Sequence, residues 1–421
     1  MPRRYLVVVA TFCLSLLLYI DRVCISTAKG PIVSDLGLTD QQFGWVLSAF
    51  AFGYALLQTP SGAMADRLGA RTVLSAVVTL WSIFTGLTAM AWNFTSLLLV
   101  RFCFGAGEAG AFPGMARTVF SWIPVKERGL VKGINFSASR IGAAITMPLL
   151  PLLISALGWK SSFILLMLIG FAWAAAWWWW FRDEPADHPG IDSEELSYIT
   201  KTRQSTPASA AATAPLPLSR MLAHRNMWLM MLQYFGSNFT FFFCLSWLFP
   251  YVQRTYNLSY TDAGFYTMIP LLGGAAGNLV SGWLVDSIYR GRSPHLSRRL
   301  PAIIGFTLAS LGLLFSAGQE GVWGAVFWLT IAVFGADMTL SPSWSFCIDI
   351  GGSHAGKVSG TMNMAGNLGS ALVAIAFPYL LAWTGGASAF FYVGASLNAM
   401  AIMCWILANP TRTLEPTPVA S

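Results

Sequence analysis

The chain has 421 residues, 10% of them charged and 55% hydrophobic, with a mean hydropathy of +0.60 and a net charge of +7. Soluble domains carry roughly 25% charged residues, so this composition excludes a soluble globule and indicates a polytopic membrane protein. The basic excess does not indicate nucleic acid, because no basic stripe with interleaved aromatics occurs.

The first apolar stretch follows Arg3 and Arg4, as in a signal peptide, but it runs past Asp21 and Arg22 towards Gly30 and is too long for an h-region. It is the first of twelve predicted spans of about 20 residues. Six cover 5–29, 44–65, 72–92, 95–119, 133–157 and 160–181; six more cover 227–252, 262–285, 300–318, 322–346, 357–383 and 387–408. The expected architecture is an all-α membrane protein, two pseudo-symmetric six-helix bundles (1–181 and 227–421) around a central cavity, joined by a cytoplasmic linker at 182–226. The tryptophan run Trp177 to Trp180 reads as an interfacial aromatic belt, and the six cysteines as small core residues. In the linker, Asp192 is placed to cap a short surface helix with Glu195 in its first turn, ahead of the Ser/Ala/Pro stretch STPASAAATAPLPLS.

With both termini in the cytoplasm, eighteen Lys and Arg fall on inner segments and three (Lys29, Lys160, Arg254) on outer ones, which obeys the positive-inside rule. An internal repeat supports the two halves. GAMADRLGAR (Gly62, Asp66, Arg67, Gly69, Arg71) joins spans two and three, and GWLVDSIYRGR (Gly282, Asp286, Arg290, Arg292) joins spans eight and nine.

Arg22, Arg101 and Arg140 remain at membrane depth, with the acids Asp21, Glu108 and Asp337. Each charge costs roughly 2.5–3.5 kcal/mol at a helix centre, so together they must face a cavity or one another. Arg22 lies about eight residues, or ~12 Å, from the outer end of its span, and Arg101 is roughly level with it. Glu108 is two turns deeper on nearly the same face as Arg101, Tyr19 shares a face with Arg22, and Tyr54 falls at similar depth. Two guanidiniums flanked by tyrosines and followed by a carboxylate form an organic-anion site with a proton acceptor. Arg140 either pairs with Asp337 or receives a second substrate carboxylate.

At YIDRVCIS, RFCFGAGEAGAFPG (Arg101 to Gly114) and GAMADRLGAR the chain resembles the major facilitator superfamily, and within it the anion:cation symporters of sugar acids and other organic anions. The resemblance implies that Tyr19, Arg22, Tyr54 and Arg101 bind the substrate carboxylate and hydroxyls, and that Asp21 and Glu108 take up protons. It further implies that Ser341, Ser343, Trp344 and Asn363 hydrogen-bond a polyol end. The second inner loop lacks the adjacent Asp-Arg pair, and Cys24 stands where relatives often have Asn. The expected function is proton-coupled import of an organic anion by a monomer in the bacterial inner membrane. No enzyme activity, cofactor, metal or nucleic acid is expected. The alternatives are an anion exchanger and a non-transporting anion sensor.

Overall fold

The computed structural model describes residues 2–124, 127–202, 217–290, 294–351 and 355–409; the side chains of some helical positions, Gly62, Asp66, Asp286 and Arg290 among them, also lie outside the described residues. Most of the linker stretch and Arg292 of the repeat lie outside them too. The chain divides into two compact units, Met1–Ala208 and Ser209–Ser421.

The first unit comprises α1 (Arg3–Thr27), α2 (Lys29–Leu36), α3 (Asp40–Thr88), α4 (Phe94–Glu108), α5 (Ala111–Trp122), α6 (Arg128–Leu157), α7 (Trp159–Trp180) and α8 (Ser193–Thr202). The second comprises α9 (Leu218–Leu222), α10 (Arg225–Ser246), α11 (Leu248–Thr255), α12 (Tyr260–Arg290), α13 (Pro294–Ser316), α14 (Val322–Met338), α15 (Leu340–Gly351), α16 (Ala355–Thr384) and α17 (Ser388–Leu407). Among the described residues, nine helical stretches are long and apolar enough to cross a membrane. Capping boxes start two of the helices: Thr39 with Gln42 before α3, and Asn93 with Ser96 before α4.

Four of the expected continuous stretches are interrupted, each shortly before a proline. The breaks fall at Ala28, at Ala109–Gly110, at Trp247 and at Thr339. Pro31, Pro113, Pro250 and Pro342 follow within two to four residues. Proline has no N–H, so the carbonyl four residues earlier loses its helical donor and the ring crowds it. At the last break another helix supplies the missing donor: the Ser281 hydroxyl of α12 donates to Met338 O at 2.5 Å. Two of these breaks follow membrane-embedded acids directly, Glu108 ending α4 and Asp337 lying one residue before the end of α14.

Spans two and three are a single stretch, α3, kinked at Gly69 with φ 81° and ψ 160°. That backbone region is essentially restricted to glycine. The kink is seated on Asp183, just beyond α7: a Cβ at Gly69 would lie 2.5 Å from its carboxylate, and Asp183 Oδ1 accepts the Arg71 N–H at 3.0 Å. Asp183 thus satisfies a backbone donor at the start of the segment after the kink.

Glu195 does not serve its own helix alone. Its carboxylate accepts the backbone N–H groups of Arg3 (2.8 Å) and Arg4 (3.0 Å), the free donors at the start of α1. The helix holding Glu195 is thereby docked on α1. The tryptophan run is also only partly a belt. Trp178 and Trp179 are exposed, whereas Trp177 is buried and stacks on Phe181 at 4.0 Å.

His188 lies beyond α7, edge-on to Trp122 (5.7 Å) and Trp180 (5.1 Å), and its Nδ1 accepts the Gly190 N–H at 3.1 Å. Burial first, then the nearby charges of Arg3 and Arg182, hold its imidazole below the ordinary value, with Glu195 opposing them. The unfolded chain therefore binds the proton first as pH falls, so this contribution to stability is present above about pH 6.5 and is lost below it. The melting temperature of the purified protein should fall more between pH 7.5 and 5.5 than that of His188→Gln. Parallel declines would show that His188 contributes nothing to the pH dependence.

Candidate functional site

The charged residues at membrane depth in the first unit converge. Three contacts between helices bring them together. At the α3–α4 crossing, a Cβ on Gly53 would overlap Phe102 O and one on Gly105 would overlap Phe50 O, so the two backbones touch where only glycine fits. At the α1–α6 crossing, a Cβ on Gly142 would lie 2.6 Å from Leu16 O. Trp81, in the second half of α3, reaches α1: its Nε1–H donates to Asp21 Oδ2 at 3.0 Å.

Within this frame Arg22 Nε donates to Glu108 Oε1, and both side chains are buried, at 8% and 0% exposure. The Arg22 guanidinium carbon lies 4.7 Å from the centre of the Tyr54 ring, 5.1 Å from Tyr19, 5.3 Å from Phe50 and 5.9 Å from Phe112. Arg101, equally buried, borders the same Phe50 ring at 5.5 Å and Phe104 at 4.3 Å. Arg140 on α6 approaches from another side, its Nη1 donating to the Tyr19 hydroxyl at 3.4 Å. The aromatic faces present their negative quadrupoles to the cations and orient the guanidiniums without neutralising them.

Four buried polar atoms in this cluster have no hydrogen-bond partner: Arg22 Nη2, Arg101 Nε, Glu108 Oε2 and Asp21 Oδ1. Buried polar groups are normally satisfied, so unsatisfied ones need an explanation. Here two are cationic donors and two are carboxylate oxygens. The set can accept an anion on the first pair and protons on the second.

The second-unit residues suggested by the resemblance sit on α15 and α16. Ser343 is fully buried, and its hydroxyl lies 2.6 Å from Thr339 O and 3.1 Å from Gln233 Oε1, an oxygen that also accepts from Trp405 Nε1 at 3.3 Å. Its immediate partners are thus the start of its own helix and Gln233 of α10, in the same unit. Trp344 Nε1–H donates to the Tyr234 hydroxyl at 3.1 Å, and Ser341 and Asn363 are half-buried. Asp337 is buried on α14 with its carboxylate against Gly274 of α12.

In the loop repeat, Arg71 Nε donates to Trp178 O at 2.8 Å and its guanidinium lies 4.5 Å from the Trp178 ring, while Arg67 is exposed. The side chains of Gly62 and Asp66 lie outside the described residues. Sequence reasoning missed Trp81, Phe50, Gln233 and Tyr234. Phe50 was within reach of it, four residues before Tyr54 on the same helical face, and Gln233 stands out as an amide inside an apolar run. The Trp81 contact spans sixty positions and left no local signal.

A sequence model of the Major Facilitator Superfamily matches residues 11–374. The "Probable sulfoacetate transporter SauU" of Cupriavidus necator is 33% identical over 401 residues, 94% of this chain and 92% of that protein. The "Probable galactarate/D-glucarate transporter GarP" of Escherichia coli K12 is 32% identical over 96% of this chain and 94% of its own length. The "Hexuronate transporter" of Bacillus subtilis 168 is 30% identical over 98% of both. In fold, the chain matches the crystal structure of a bacterial homologue of the human lysosomal transporter Spinster, with TM-score 0.79 at 20% identity over all of both chains.

Proposed function

The chain belongs to the Major Facilitator Superfamily, among its organic-anion and sugar-acid transporters, and on that premise we propose that it imports an organic anion coupled to protons. It is a multi-pass membrane transporter and not an enzyme. The observation that carries the anion reading is the buried Arg22–Glu108 pair, with Arg22 Nη2, Arg101 Nε and Glu108 Oε2 unsatisfied beside it.

Protonating Glu108 removes the counter-charge of Arg22, and the substrate carboxylate takes its place on Arg22 and Arg101, beside the Tyr19 and Tyr54 hydroxyls. Asp21, held by Trp81, is the second proton site. Within the second unit, Ser343 fixes α15, the helix that carries Ser341 and Trp344, through Gln233. On the cytoplasmic side, where both termini are placed, Glu108 loses its proton and reclaims Arg22. The anion is displaced because a carboxylate of the protein now competes for the same donors. In this scheme the kinked, Asp183-seated junction at Gly69 and Arg71 holds the middle of α3 to the end of α7 as the carrier changes state. The chain is proposed to act as a monomer in the bacterial inner membrane.

Reconstituted protein with an alkaline interior tests this. A one-unit pH step drives about tenfold accumulation per coupled proton. Glu108→Gln should keep anion counterflow and lose that accumulation. Gradient-driven accumulation by the variant would remove Glu108 from the coupling. Counterflow without accumulation in the unaltered protein would make it an exchanger.

A further inference from the structure

Trp81 is among the largest fully buried side chains, and its contact with Asp21 joins α3 to α1. A buried indole N–H needs an acceptor, and Asp21 Oδ2 at 3.0 Å is the one it has. The packing of α4 fixes where the indole stands. A Cβ on Gly107 would lie 3.4 Å from the Trp81 backbone nitrogen and 3.2 Å from Leu80 Cγ, so α4 meets α3 here, one residue before Glu108. The contact that locates Trp81 therefore also locates the other carboxyl group of the scheme.

The two acids are held differently. Glu108 is bound by the Arg22 guanidinium, whereas among the described residues Asp21 makes no ion pair and its Oδ1 has no hydrogen-bond partner. The charged and titratable groups around Asp21 are Arg22 and Cys24 of its own helix, Arg101 and Glu108 of α4, and Arg140 of α6 at the Tyr19 ring. The indole is thus the only side-chain donor that the Asp21 carboxyl group receives. In the neutral acid, an N–H on Oδ2 favours the carbonyl form of that oxygen and leaves Oδ1 to carry the proton. In the carboxylate the same N–H becomes a charge-assisted donor, the stronger kind.

We propose that Trp81 is the positioning residue of the Asp21 proton site: its indole N–H directs the proton to Oδ1 and supports the carboxylate left when that proton departs. A carrier without this donor keeps the proton on Asp21; it exchanges anions but does not complete the proton-driven cycle at neutral pH. This rests on the proton-coupled anion reading and adds the residue on which proton release at Asp21 depends.

Two substitutions separate the donor from the ring. Trp81→Phe keeps an aromatic ring and has no N–H; Trp81→Gln has no ring but carries an amide nitrogen the same number of bonds from Cβ as the indole nitrogen. Both are assayed in proteoliposomes with whichever of sulfoacetate, glucarate and glucuronate the unaltered protein accumulates. Trp81→Phe should move the pH of half-maximal net uptake at least about one unit to the alkaline side, the tenfold or more expected for one hydrogen bond to a charged group. Its KM in anion counterflow should stay within about threefold, which also shows that the variant folds. Trp81→Gln should return the profile to within about half a unit of the unaltered protein, although it packs less well; counterflow in Trp81→Gln alone would support the donor too. An unmoved profile in Trp81→Phe, equal shifts in both variants, or loss of counterflow in both would make Trp81 a packing residue and overturn the positioning role, leaving the transport reading intact. No proton-driven accumulation of any of the three anions by the unaltered protein would remove both.

Discussion

Arg22→Gln should abolish organic-anion uptake and lower the melting temperature of the purified protein, and adding Glu108→Gln should recover the stability without recovering uptake. The reason lies in the burial of both partners, at 8% and 0% exposure. Removing one member of a buried ion pair strands the other charge, at a cost of about 3–5 kcal/mol. Replacing both removes the stranded charge, so the double variant should be the more stable. Transport follows different logic, because Arg22 supplies a guanidinium face to the substrate, and each charge-assisted hydrogen bond is worth about 1.5–3 kcal/mol. Two such bonds correspond to at least about a hundredfold in affinity. A double variant no more stable than the single one would show that the two side chains are not coupled. Uptake that survives in Arg22→Gln would place the carboxylate elsewhere.

Gly105→Ala should be the most damaging of the one-methyl changes in the first unit. A Cβ there would overlap Phe50 O and lie 3.0 Å from Tyr54 N, both backbone atoms of α3 that no rotamer change can move. Gly53 meets α4 in the reciprocal way, so the helices can only separate. Overpacking of this kind costs about 1–3 kcal/mol, and more when the obstacle is backbone. The damage should also reach function, because Phe50 and Tyr54 carry rings that border the guanidiniums. Gly133 provides the control: it is exposed on α6, and a Cβ there meets nothing within 4 Å. Gly133→Ala should be neutral or stabilising by up to about 1 kcal/mol. Size-exclusion profiles after graded heating would compare the two, and similar losses in both would mean that α4 is free to move off α3.

Hydropathy was enough to place the helical stretches, because a bilayer-spanning segment must be apolar over its whole length whatever it packs against. It was also enough to nominate Arg22, Arg101, Glu108 and Arg140, since an ionisable group at that depth needs a partner. The four prolines behind the interrupted helices were visible too. A rule based on segment length could not use them, because a missing N–H alters the backbone without altering hydropathy.

Which guanidinium meets which carboxylate was decided only by the tertiary structure. Depth and face paired Arg101 with Glu108 along one helix as readily as Arg22 with Glu108 between two, and the α3–α4 and α1–α6 crossings select the second arrangement. The Trp81 contact with Asp21, the Gln233 hold on Ser343 and the capping of α1 by Glu195 likewise join positions 60, 110 and more than 190 residues apart. Periodicity describes one helix at a time. Contacts such as these depend on where glycines allow two backbones to meet, and that is settled by packing in three dimensions.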